Sequence, residues 1–179
     1  MTMSLLKYCP QCATALADQE VAGRRRRACP DKTCGYVHWD NPLPVVAALI
    51  EYEDRVLLAR NAAWPEDMFA LITGFLERDE TPEDGIRREI REETNLEVNA
   101  LTLLGVYEFM RKNELIIAYH ARCEGQVALS EELADYRLIA PHRLRPWRAG
   151  TGHAVAEWMR RRGLPFEYVD SPRLPAAEA

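Results

Sequence analysis

The chain has no run of about 18 apolar residues, so no membrane-spanning helix and no membrane partner are expected. Its first residues, MTMSLLKYCPQC, lack the long apolar segment of a secretory signal, and a cytoplasmic location follows as the default. It has no excess of positive charge. The 23 Lys and Arg are outnumbered by 28 Asp and Glu, giving a net charge of −5. Bulk electrostatics therefore do not favour nucleic acid or anionic lipid, and RNA stays an open but unfavoured partner through a local patch alone. Internal repeats are absent. Cysteine is scarce, with five residues in all, and four of them fall between positions 9 and 34. In a reducing compartment such clustering argues for metal binding rather than disulfides.

What is present is ordinary for a folded protein. With 47% hydrophobic and 28% charged residues in 179, disorder is excluded and one main domain with a small appendage is expected. PVVAALIEY (44–52) and RVLLAR (55–60) read as strands joined by a tight turn at Glu53-Asp54. MFALIT (68–73) reads as a third strand, and 96–109 with 113–123 as a hairpin. SEELADY (130–136) suggests a short helix capped by Ser130, and TGHAVAEWMRRRG (151–163) a longer amphipathic one. The pattern predicts an α+β fold with a mixed sheet, in three parts: 1–40, 41–165 and a loose tail over 166–179.

CPQC (Cys9, Cys12) and CPDKTC (Cys29, Cys34) are two knuckle-like pairs. Their spacing fits four-thiolate Zn²⁺ binding in a small zinc ribbon, a structural site because no coordination position stays open. Arg24, Arg25, Arg26 and Arg27 lie between the knuckles, on the expected hairpin. They read as a solvated hairpin or as a contact for phosphate from substrate or RNA. Cys123 reads as a buried apolar residue.

The densest chemical signal is GFLERDETPEDGIRREIREETNL, Gly74–Leu96. Thr81-Pro82-Glu83-Asp84 is a helix start, and Asn95 suits a left-handed stop. Ile86 and Ile90 face a sheet. Glu83–Arg87, Asp84–Arg88 and Arg88–Glu92 can pair across a turn. Glu89 and Glu93, with Glu92, instead crowd like charges onto one face, which costs a few tenths of a kcal/mol per pair at i,i+4 spacing. A divalent cation with oxygen ligands reverses that sign.

This segment resembles the Nudix box. Gly74, Glu80, Arg88, Glu89, Ile90, Glu92, Glu93 and Leu96 fall in register, and Asn95 stands where the final glycine belongs. The resemblance implies a Nudix fold, a mixed sheet sandwiched between helices, with the box as loop–helix–loop. It implies Mg²⁺- or Mn²⁺-dependent hydrolysis of a nucleoside diphosphate linked to another moiety. By matching position, Glu89 and Glu93 would be the main metal ligands and Glu92 a further one. Arg88 would orient the glutamates, Glu80 would brace the loop, and the carbonyl near Thr73-Gly74 could also reach the metal. In many such enzymes the base lies outside the box; Glu132, with Glu131 as the alternative, occupies the corresponding place.

A zinc ribbon before a Nudix domain resembles two groups. The NADH pyrophosphatase group carries a Ser-Gln-Pro-Trp-Pro-Phe-Pro-x-Ser signature after the box. Here that region reads LLGVYEFMRKNELIIAYH instead. FALITGFLE and RPWRAGTG are more similar to a less specialised group that includes ADP-ribose/FAD pyrophosphatases. Trp64 and Trp147, in Pro-flanked loops, are the expected stacking surfaces for a base or flavin, ahead of Phe69, Tyr107, Phe109 and Tyr119. Arg60 is an expected phosphate contact. A homodimer is compatible with the resemblance, although no residue requires it. The competing reading is a regulatory protein that senses a nucleotide, or binds nucleic acid, through the same fold.

Overall fold

The N-terminal segment has few aliphatic residues, and its core is correspondingly small. Cys9, Leu16 and Cys29 are buried, with Leu6, Cys34 and Tyr36 packed against them. Strands β1 (Ala17–Val21), β2 (Arg24–Ala28) and β3 (Val37–His38) form an antiparallel sheet in that order. Ala22 and Gly23 turn the hairpin with φ of 52° and 71°, the left-handed pair whose twist matches that of the flanking strands. The structure is a computed structural model that describes residues 6–173, and the chain divides into two units between Asn41 and Pro42.

The second unit starts with LPVVAALIEY, apolar at nearly every position, as β4 (Leu43–Tyr52). Such a run has to be covered on both faces. Glu53 and Asp54, at φ 49° and 58°, turn it into β5 (Arg55–Asn61). Then follow β6 (Ile72–Phe75), α1 (Pro82–Thr94), β7 (Glu97–Phe109), β8 (Glu114–Glu124), β9 (Leu133–Ile139) and α2 (Gly152–Arg161). The sheet order is β7-β8-β4-β5-β9, with β6 added to β4. β4 runs parallel to β8, and the remaining pairs are antiparallel, so the sheet is mixed as expected.

β4 sorts its side chains by alternation. Val46, Ala48 and Ile50 join Ile72 and the Ile86 and Ile90 of α1 in one cluster. Val45, Ala47 and Leu49 join Ala154, Val155, Trp158 and Met159 of α2 in the other. Each buried Ile or Leu contributes about 1.5–3 kcal/mol, far more than helix propensity does, so these two clusters position α1 and α2. Cys123 is buried in the α1 cluster, as its apolar surroundings in the sequence suggest.

Three expectations require correction. Residues 130–136 are not a helix: Glu131 and Glu132 form a turn, and Leu133 begins β9, paired with β5. A register shift between Arg60 and Asn61 displaces the pairing, so that Leu133 and Tyr136 both reach the α1-side cluster at a helix-like spacing. The third strand covers 72–75 rather than 68–73, and Met68 and Ala70 make only isolated bridges. The tail is bonded through Arg173. Phe69 N–H donates to the Pro172 carbonyl at 2.8 Å, and Arg173 pairs with Asp67. The remainder of the expected tail, 174–179, lies outside the described residues.

Candidate active site and metal centres

Helix α1 begins as its sequence requires. The Thr81 hydroxyl accepts from Asp84 N–H at 3.1 Å and donates to the Asp84 carboxylate at 2.7 Å, and Pro82 fills the first position. Asn95 ends the helix at φ 59°. The cross-turn pairs form only in part. Arg88 does reach Glu92. Arg87 instead donates to the Val98 carbonyl at 2.9 Å, and Glu83 accepts from the Tyr119 hydroxyl at 2.8 Å. Asp84 is used by the cap. Tertiary partners outcompete these surface pairs because an exposed i,i+4 pair is worth only a few tenths of a kcal/mol.

Arg88 is the hub of the box. Its guanidinium donates to both oxygens of Glu80 at 2.8 and 3.2 Å, to Glu89 at 2.7 Å, to Glu92 at 3.2 Å and to the Phe75 carbonyl at 3.2 Å. Glu80 also accepts from Glu77 N–H at 2.6 Å. The Arg88 hydrogen bonds, with that backbone donor, hold the Glu80 carboxyl below its usual range. The loop before α1 is thereby tied to the helix. Gly74 serves a second purpose. The Glu89 carboxylate lies where a Cβ on residue 74 would stand, so a glycine is needed for that approach.

Glu93 has no arginine partner among the described residues. It is half-buried, and its carboxyl is pushed up to about 7, first by burial and then by the charges of Glu89, Glu132 and Glu92. Glu132 thus acts on Glu93 although it lies outside the helix. Two backbone bonds bring its segment in: Ser130 N–H to the Glu93 carbonyl at 3.1 Å and Ala128 N–H to the Thr94 carbonyl at 3.0 Å. Glu131 is absent from the charges that act on Glu93. The donor set suits a hard divalent cation: the charges of Glu89, Glu132 and Glu92 all act on Glu93, which resists ionisation for want of positive charge.

Arg60, next to last in β5, lies opposite Asp135, and Trp64 is 37% exposed in the turn that follows. Ala62 N–H donates to the Glu132 carbonyl at 2.8 Å, so this turn and the Glu132 turn are neighbours. Trp147 needs correction. It is 5% exposed, packed in the α2 cluster with its backbone carbonyl against Gly152, and offers no surface for a base. The sequence reading passed over Phe75, which is 56% exposed next to Gly74; a large apolar side chain inside the box was the available signal. A cleft of about 460 Å³ lined by Glu51, Asp54, Arg122 and Glu124 includes none of the expected site residues.

The four cysteines of the first unit are free thiols whose ligand atoms lie within 4.8 Å of one another. Cys9 and Cys34, and Cys12 and Cys29, are paired at 3.5 Å between sulfurs. Tetrahedral Zn–S bonds of about 2.3 Å place sulfurs roughly 3.8 Å apart, so the residues fit a structural zinc ion. Burial pushes the Cys29 thiol up, while the Thr14 hydroxyl holds Cys12 down at about 6. Among the described residues this is the one group of three or more His, Cys, Asp or Glu ligand atoms packed so closely. The glutamates of α1 are not drawn together in that way.

The NUDIX domain profile matches residues 41–160. The NAD-capped RNA hydrolase NudC of Mycobacterium tuberculosis (strain ATCC 25618 / H37Rv) is 43% identical over 79 residues, 44% of this chain and 25% of that protein. The protein of the same name from Pseudomonas fluorescens is 28% identical over 142 residues, 78% of this chain and 50% of its own length. The chain thus spans at most about half of these curated relatives. A NUDIX hydrolase crystal structure from Nitrosomonas europaea superposes with a TM-score of 0.72 at 27% identity, covering 91% of this chain and 97% of that one. No helix among the described residues is long and apolar enough to cross a membrane.

Proposed function

The chain belongs to the NUDIX domain family, and from that premise we infer that it hydrolyses the diphosphate bond of a nucleoside diphosphate linked to a second moiety. The substrate class is ADP-ribose, FAD or NADH, with the capped end of an RNA as a variant suggested by the names of the curated relatives. The observation that carries this reading is the Glu93 carboxyl, pushed up to about 7 among Glu89, Glu92 and Glu132. A nucleotide sensor would have no use for such costly crowding.

Glu89, Glu92, Glu93 and Glu132 are the residues that would hold Mg²⁺ or Mn²⁺. Such an ion, when bound, neutralises phosphate oxygens and acidifies water. Arg88 holds Glu89 and Glu92 in place through its planar fork, and Gly74 leaves room for Glu89 over the backbone. Glu132, on its exposed turn, is the base that takes the proton from the attacking water, at a carboxylate oxygen. Trp64 and Phe75 are exposed surfaces for the base of the substrate, and Arg60 is a contact for its phosphate.

The test is turnover of ADP-ribose, FAD, NADH and an NAD-capped RNA with added Mg²⁺ or Mn²⁺, run beside Glu93→Gln. One substrate is expected to turn over, and the variant to lose about 10²- to 10⁴-fold in kcat. Binding of a nucleotide with no turnover by the wild type would replace this reading with the sensor.

A further inference from the structure

The ribbon hairpin sorts its charges by face. Cross-strand partners share a side, and successive residues alternate. Arg25 and Arg27 share one face with Asp18, Glu20 and His38. Asp18 pairs with Arg25 at 3.1 Å and with Arg27 at 3.9 Å, and Asp40 turns to His38 at 3.8 Å. That face is balanced. The other face carries Val21, Gln19, Arg24 and Arg26 and no carboxylate. Arg24 is exposed and makes no ion pair among the described residues. Arg26 donates to the Trp39 carbonyl at 2.7 Å, and its guanidinium stacks 4.8 Å from the Trp39 ring. Its Nε is buried without a hydrogen-bond partner. Trp39 itself is 48% exposed.

We propose that this Arg24–Arg26–Trp39 face binds single-stranded RNA. The exposed Arg24 guanidinium suits the phosphodiester, and an exposed indole with Arg26 stacked on it suits an unstacked base. A duplex hides its bases, so the tryptophan favours a single strand. The choice of RNA rests on the hydrolase reading above, in which the second moiety can be a polymer; the face itself rests on the charge sorting alone. The segregation matters because the whole chain carries −5, which would repel a polyanion from a mixed surface.

The experiment measures anisotropy of a labelled oligouridylate with the zinc-loaded full chain, across a salt titration. Arg24→Glu and Arg25→Glu change the net charge equally but lie on opposite faces. Arg24→Glu is expected to weaken binding about tenfold and to reduce the salt slope by about 0.7. Arg25→Glu is expected to change it less than twofold, and Trp39→Ala to weaken it about fivefold or more. Zinc content and free ADP-ribose turnover stay at wild-type levels in Arg24→Glu. Equal losses from the two arginine variants, tighter binding of duplex RNA or of the matching DNA, or preferential binding to phosphatidylserine vesicles would each overturn the proposal. Wild-type failure to hydrolyse any diphosphate, with RNA binding intact, would overturn only the hydrolase reading.

Discussion

Two clusters of like groups sit in this chain and are handled in opposite ways. The four thiols of the ribbon are packed together, sulfur against sulfur, and three of them, Cys9, Cys29 and Cys34, join Leu16, Leu6 and Tyr36 in the small core of the first unit. The glutamates of α1 ride on a helix that is already anchored by Ile86 and Ile90. Two of them, Glu89 and Glu92, are held by Arg88, while Glu93 is left to repel its neighbours. A closed set of ligands suits a metal that supports the fold. An open set, parked on an arginine over a rigid sheet, suits a metal that comes with its substrate.

The largest consequence of that contrast is unequal dependence on metal. Structural zinc supplies on the order of 10 kcal/mol in small modules of this kind. Chelation, or Cys29→Ser, is expected to unfold the β1–β2 hairpin while α1 and the six-stranded sheet persist. Amide hydrogen exchange resolves the two units: protection is lost from residues 6–41 only. Loss of protection in both would show that the larger unit depends on the ribbon for its own fold.

Arg88 is the next lever. Arg88→Met leaves Glu80 and Glu89 partly buried without a cation. Breaking a buried pair costs 3–5 kcal/mol; with the Arg88 side chain 28% exposed, about 2 kcal/mol is expected here. The Glu80 carboxyl is depressed in the fold, so its contribution is present above its unfolded value and is lost as pH falls through the folded one. The variant is expected to melt a few degrees lower at neutral pH and to lose less on acidification than the wild type. An unchanged acid slope would remove Arg88 from its role.

Gly74→Ala gives a smaller effect on a different quantity. The added methyl meets a flexible carboxylate rather than backbone, so the fold is expected to tolerate it. Glu89 has to move, and turnover falls about tenfold, equivalent to about 1.4 kcal/mol in the barrier. A parallel loss of melting temperature would reassign Gly74 to packing.

How much of this was readable in advance follows from the range of each interaction. The box, the knuckles and the α1 caps are local patterns, and each appears where the residues place it. The double-faced β4 was legible from an unbroken apolar run. Residues 130–136 were misread because a Ser130 cap is a local signal, whereas the pairing of Leu133–Ile139 with β5 is set by a distant strand. Trp147 was misread because the neighbouring Pro146 says nothing about the α2 cluster that buries the ring, or about Gly152, whose missing Cβ leaves room for the Trp147 carbonyl. The partners of Glu83 and Arg87, Tyr119 and Val98, come from β8 and β7 and have no signal at helical spacing.

The smallest effect concerns a third charged group, one built from opposite signs. His120 Nε2 lies 2.7 Å from Glu51, and Arg162 donates to the same oxygen at 2.6 Å while stacking 4.3 Å from the Trp158 ring. Burial lowers the His120 pKa below its ordinary value; Glu51 opposes that shift, and Arg162 and Arg122 reinforce it. Because Arg162 already neutralises Glu51, the imidazole gains little by protonating. The unfolded chain takes up the proton at its usual value near 6.5, so stability declines as pH falls through that value toward the folded one. His120→Gln keeps a donor for Glu51 and cannot titrate. Urea midpoints on either side of about pH 6 are expected to differ by less than about 1 kcal/mol in the wild type, and by less still in the variant. An undiminished difference in His120→Gln would place the acid sensitivity in carboxylates other than the crowded Glu93, whose raised pKa favours the fold as pH falls and opposes the loss.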